Sequence, residues 1–137
     1  MGAIPAGLEL RAATRPCHAL AGPLYEKRDD ARYAIALVLA ENHENRRGAA
    51  HGGVICTLTD FATSRAASLA AGALHKVVAV IRPVDFPGNG GTGDWIEPRL
   101  GAMRPGKRAA FAECFVERGS GRMTRASGTI QVLRGDE

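Results

Sequence analysis

The 137-residue sequence predicts an α+β fold in which an antiparallel sheet wraps around one long central helix. Three observations lead there. Only one segment, roughly Gly53 to Ala71, carries a long helical apolar period. Four strand-like runs follow it, with short turns between them. A sheet with one apolar face needs a cover, and the apolar helix is the candidate available. The length suits one domain over 1–137, with 1–24 as an N-terminal lead-in.

The lead-in is rich in Ala, Gly and Pro with weak periodicity, a short helix or loose segment ending at Gly22-Pro23. Ala31 to Leu39 is short and apolar, which suits a strand, and a polar loop follows from Glu41 to Gly48. In the helix, Val54, Leu58, Phe61, Ala62 and Leu69 fall on the apolar face, and Gly72 stands where a stop belongs. Lys76–Val84, Asp94–Met103, Ala109–Arg118 and Arg122–Leu133 read as strands. Gly119-Ser120-Gly121 makes a hairpin turn between the last two, and Arg104-Pro105-Gly106-Lys107 makes another. The glycine-rich run from Asp85 to Asp94 is a loop rather than a phosphate cradle, because no helix follows it.

Composition narrows the function classes. With 45% apolar and 23% charged residues the chain is globular, and no run approaches the ~20 apolar residues of a membrane span. The formal charge of +4 is spread over scattered arginines, and aromatics are only 5%. That argues against a nucleic-acid partner, which wants a recognition module or stacking platforms, and favours a small anionic ligand. Cys17, Cys56 and Cys114 are an odd count at wide spacing, so neither a disulfide framework nor a zinc site is expected. They read as reduced, mostly packed thiols of a cytoplasmic protein. Glu9 and Arg11 interrupt the place where a signal peptide needs an apolar run. His18, His43 and His75 lack metal spacing, and Trp95 reads as a packing residue. No metal or resident cofactor is expected.

Chemistry concentrates between His43 and Ala67. His51-Gly52-Gly53 stands directly before the helix, whose first turn leaves backbone N–H groups without partners. Two readings stay open: an oxyanion hole, or a tight turn into the helix. Asp60 lies two turns on, among Leu58, Phe61 and Ala62. An ionised Asp in a buried helix is costly unless paired, so it is functional or it pairs with Arg65. Seven residues at helical rise separate Gly53 and Asp60 by about 10 Å. A group attacking a carbonyl and the donor holding its oxygen must both lie within about 3 Å of it. One subunit does not easily supply both, whereas two antiparallel helices across a two-fold axis do.

Asn45, Gly48, His51-Gly52-Gly53 and Asp60, with Gly22-Pro23-Leu24-Tyr25 before them and Ser127-Gly128-Thr129 after, resemble a known family. It is the hotdog-fold acyl-CoA thioesterases, in the PaaI-like (phenylacetate-pathway) branch of the 4-hydroxybenzoyl-CoA thioesterase superfamily. The resemblance covers roughly residues 20 to 134. It implies that Asp60 is the general base or nucleophile and that the Gly53 N–H, with Gly52 nearby, polarises the thioester carbonyl. It further implies that Asn45 orients water or substrate, and that His51 either shapes the loop or bonds near the thioester. Many relatives have Ser or Thr early in the strand after the helix, where this chain has Val78 and Ala79.

The expected function is hydrolysis of an acyl- or aryl-CoA thioester by a homodimer or dimer of dimers. Coenzyme A enters only as part of the substrate. For its phosphates the sequence offers Arg104, Lys107 and Arg108, with Arg46 and Arg47 as competitors. The rival is a non-catalytic acyl-CoA binding or sensing protein on the same fold, which would have no need of a carboxylate at position 60. Phe86-Pro87-Gly88 superficially resembles a dehydratase motif, but no His precedes it.

Overall fold

The computed structural model describes residues 5–12, 15–28, 33–72, 76–119 and 121–133. The elements run β1 (Glu9–Leu10), α1 (Pro16–Ala21), β2 (Leu24–Arg28), β3 (Tyr33–Val38) and a 3-10 turn (Glu41–His43), then α2 (Gly52–Ala70). β4 (Lys76–Ile81), β5 (Val84–Asp85), β6 (Trp95–Pro105), β7 (Ala109–Arg118) and β8 (Gly121–Leu133) follow. All the strand pairs are antiparallel, in the order β1-β2-β3-β6-β7-β8-β4, with β5 also on β8. The expected α+β architecture is what forms.

α2 lies across the inner face of that sheet. Its buried stripe is Ile55, Leu58, Thr59, Ala62, Thr63, Ala66 and Ala67, steps of three and four that keep one side inward. Ile55, Leu58 and Ala62 pack on Leu37, Ile96, Val116 and Met123, whereas Ala67 packs on Ala110, Ala112 and Ile130. The two threonines belong in this stripe because their hydroxyls are satisfied locally. Thr59 Oγ1 donates to the Cys56 carbonyl (3.0 Å) and Thr63 Oγ1 to that of Thr59 (2.8 Å). Leu58 is buried, and Leu58→Ala should cost about 2–5 kcal/mol in denaturant unfolding. Leu20→Ala, at an exposed position, should stay within about 0.5 kcal/mol.

Two corrections to the sequence expectation concern strands. β2 was not expected, since Glu26, Lys27 and Arg28 hide its alternation, yet it pairs along its length with β3. The run Lys76–Val84 divides into β4 and β5 around Arg82-Pro83, since proline has no N–H for the ladder. Within β4 the pairing to β8 shifts between Ala79 and Ile81, a bulge. The first residues of the expected Ala31–Leu39 strand, together with His75 and Ser120, lie outside the described residues. Among the described residues no helix is long and apolar enough to cross a membrane.

Candidate active site

The segment ahead of α2 is a compact loop built by its own side chains. Asn45 Oδ1 accepts from the backbone N–H groups of Arg47 (2.8 Å) and Ala49 (3.3 Å), and Gly48 takes the positive φ (72°) that closes the turn. The Ala50 N–H donates to the Gly90 carbonyl (2.8 Å) and the His51 N–H to that of His43 (2.7 Å). Gly90 is buried where a Cβ would come within 3.0 Å of Leu39 and 3.1 Å of the Met123 sulfur. The Asp85–Asp94 loop is therefore a support for the His51 turn.

His43 and His51 both serve the backbone here. His43 is fully buried, its Nδ1 accepting from the Ala40 N–H (2.9 Å) and its Nε2 lying 2.8 Å from the Ala21 carbonyl. His51 is the N-cap of α2, and its Nδ1 accepts from the Gly53 N–H (2.9 Å). The donor expected to be open at Gly53 thus already has a partner. One residue earlier, the Gly52 N–H makes no hydrogen bond among the described residues. Phe86 stands over this turn, for a Cβ on Gly52 would lie 3.3 Å from the tip of its ring. The Phe86-Pro87-Gly88 segment, set aside as a motif, is thus a wall of the glycine turn.

Asp60 departs from expectation in its setting. Its side chain is 51% exposed in the single chain, rather than buried, because it points to the side of α2 next to the sheet-edge strand β4. Where the sequence offered Arg65 as a partner, the structure supplies Arg82, whose Nε lies 3.0 Å from Asp60 Oδ1. The two residues border one cavity of about 400 Å³, with Cys17, His18, Cys56 and Ala79 among its other walls. Burial, aided by Arg11 and Arg15 and opposed by Asp60, holds the His18 imidazole below its ordinary pKa. Its ring meets Phe61 edge-on at 4.5 Å.

Cys114 faces the core, where burial pushes its thiol up to about 11, so it is an inert packing group. Trp95 opens β6 and packs on Tyr25 with ring centroids 5.4 Å apart. Among the described residues no group of three or more His, Cys, Asp and Glu could hold a metal ion.

Asp60, Gly52, Gly53, His51 and Asn45 lie along the first half of α2 and the loop feeding it. The hairpin carrying Arg104, Lys107 and Arg108 does not join them within one chain. It adjoins Ala110, which packs on Ala67 near the other end of α2, about 21 Å from Gly53 along the helix. Arg46 and Arg47 are exposed beside the glycine turn itself. Arg82 was not selected from the sequence; an arginine before proline closing the apolar run VVAVI was the signal available.

Residues 47–125 match the family model described as Thioesterase superfamily. The chain is 31% identical over 130 residues to the protein named "Putative esterase PA0474" of Pseudomonas aeruginosa, covering 94% of this chain and 97% of that one. Among solved structures it is similar to a single-residue mutant of the phenylacetic acid degradation protein PaaI from Thermus thermophilus. There the TM-score is 0.76 at 23% identity, over 87% of this chain and 100% of that one. The BH2602 protein of Bacillus halodurans, solved with CoA, aligns with a TM-score of 0.71 at 21% identity, over 80% of this chain and 74% of that one.

Proposed function

The chain belongs to the thioesterase superfamily and is a thioester hydrolase on a hotdog fold, and we propose that it cleaves an acyl- or aryl-CoA thioester to CoA and the free acid. One observation carries this reading. A single helix presents an N-terminal glycine turn with an unpartnered N–H at Gly52, and a half-exposed carboxylate, Asp60, two turns further on. The similar fold solved with CoA supports the choice of thiol.

In the proposed reaction the thioester carbonyl oxygen accepts from the Gly52 N–H, joined by that of Gly53 once the His51 ring turns aside. The first-turn dipole adds to the stabilisation of the developing oxyanion. Asp60 either takes the proton of a water attacking the carbonyl carbon, or attacks that carbon itself to give an acyl–aspartyl anhydride that a water then hydrolyses to the free acid and the Asp60 carboxylate; in both routes the C–S bond breaks and CoA leaves as thiolate. Asn45, whose Oδ1 is occupied by its own loop, has its amide N–H groups for water or substrate.

The active unit we propose is a homodimer or dimer of dimers. β4 is one outer strand of the sheet, opposite β1, and Val78, Val80 and Ile81 are exposed on it. β4 runs back along α2, so two copies pairing at β4 across a two-fold axis set their helices antiparallel. Asp60 of one copy then approaches the glycine turn of the other, which meets the ~10 Å separation within each chain. The same symmetry carries the partner's basic hairpin toward the glycine-turn end.

Hydrolysis of a panel of acyl-CoAs, followed with a thiol-detecting reagent, tests the reading; absence of free CoA across the panel would refute it. The same assay addresses the phosphates. Arg104→Ala or Lys107→Ala should raise KM for acyl-CoA with kcat almost unchanged, because the phosphates lie far from the thioester. An acyl-N-acetylcysteamine, which lacks the nucleotide, should be indifferent to either change. Equal damage to both substrates would assign the hairpin to folding.

A further inference from the structure

We infer that Arg82 is a positioning residue for the Asp60 carboxylate, held in place by Thr63 on one side and by the absence of a side chain at Gly128 on the other. The inference rests on the reading of Asp60 as the reactive carboxylate. It begins with strand parity. Val77 faces Val132 and Ala79 faces Ile130, so odd-numbered residues of β4 pair with inward-facing positions of β8. The bulge between Ala79 and Ile81 inserts one residue, after which Ile81 faces Thr129 and Arg82 comes beside Gly128. Without that extra residue Ile81 would take the inward place and Arg82 would point to solvent.

Turned inward, the guanidinium is closely confined. Its side chain is only 12% exposed. Nη1 donates to Thr63 Oγ1, whose own proton goes to the Thr59 carbonyl within α2. A Cβ on Gly128 would lie 2.9 Å from Nη1 and 3.2 Å from Cζ, so a larger residue there would push the guanidinium out of this position. Nε then lies 3.0 Å from Asp60 Oδ1 as an ion pair. A buried arginine is a poor device for stability alone, and here both Nε and Nη2 are buried without a hydrogen bond among the described residues, so Arg82 holds Asp60 by charge and contact. Its geometry accounts for it better as an orienting clamp. The carboxylate is tethered to the sheet through Arg82 at the rim of the cavity that both residues border.

Lysine cannot reproduce a planar fork that reaches Thr63 and Asp60 together. The test is steady-state hydrolysis of the best acyl-CoA from the panel by R82Q, R82K, G128A, D60N and the R82Q/D60N pair, each checked for folding by thermal melting. R82Q should lose about 10²-fold in kcat with KM within about 3-fold, since misplacement of a reacting group acts on the chemical step. R82K should recover part of the loss. G128A, which touches neither Asp60 nor substrate, should lower kcat in the same direction by pushing the guanidinium aside. On the D60N background R82Q should cost almost nothing further. Wild-type kcat in R82Q, R82K or G128A, or an undiminished R82Q effect in the absence of the Asp60 carboxylate, overturns the role of Arg82 alone. A folded wild-type protein that cleaves no acyl-CoA overturns the prior reading of the site instead.

Discussion

Asp60→Asn is expected to lower kcat for acyl-CoA hydrolysis by about 10²-fold or more while CoA still binds, because the substitution keeps the shape of the side chain and removes its basic oxygen. Asp60 is not a structural charge shut inside the core; it lies half-exposed at the edge of a cavity, paired with Arg82. The substitution also leaves the nearly buried Arg82 without its counter-charge, so the melting temperature is expected to fall, and the rate is measured well below the melting transition, where a loss reports on chemistry. CoA retention is checked by equilibrium binding to the Asn variant. A variant that hydrolyses acyl-CoA at the wild-type rate would remove Asp60 from the mechanism.

Two inactive proteins should become active when mixed. Asp60→Ala lacks the carboxylate, and Gly53→Val damages the glycine turn, since even a Cβ at position 53 would lie 3.0 Å from His51 Nδ1. If each site takes its carboxylate from one subunit and its N–H donors from the other, a heterodimer of the two variants contains one intact site and one doubly damaged site. Mixing under conditions of proven subunit exchange should then restore up to one of the two sites per heterodimer. The expected gain is large, from a background reduced by about 10²-fold or more in each parent. No rescue despite exchange, or full activity in a monomer, would place both groups of a working site in one chain.

Much of the architecture was legible because it is written in local periodicity. The 3.6-residue apolar pattern marked α2, the turn residues at 104–107 and 119–121 marked the hairpins, and Gly72 marked the end of the helix. The turn into α2 at His51-Gly52-Gly53 was legible too, but that the His51 side chain caps the helix was not. β2 escaped because charged residues mask its alternation. Its pairing is supplied by β3, and nothing local announces that.

The sequence by itself determined the helix, the hairpin-linked strands after it, and the co-residence of Gly52, Gly53 and Asp60 on one helix, because each depends on neighbours within a few residues. Tertiary structure alone decided what each of those groups faces. Whether Asp60 is buried depends on how far β4 reaches over α2, and its partner is Arg82 rather than Arg65 because a single bulge in β4 reverses which side chains point inward. Whether the Gly53 N–H is open depends on the direction of the His51 ring. The Arg104–Arg108 hairpin, though only a turn in sequence, is carried by the sheet to the opposite end of the helix from the glycine turn. Periodicity encodes which face a residue occupies relative to its own element. The partner across that face is set by register and packing, which depend on residues far away in the chain.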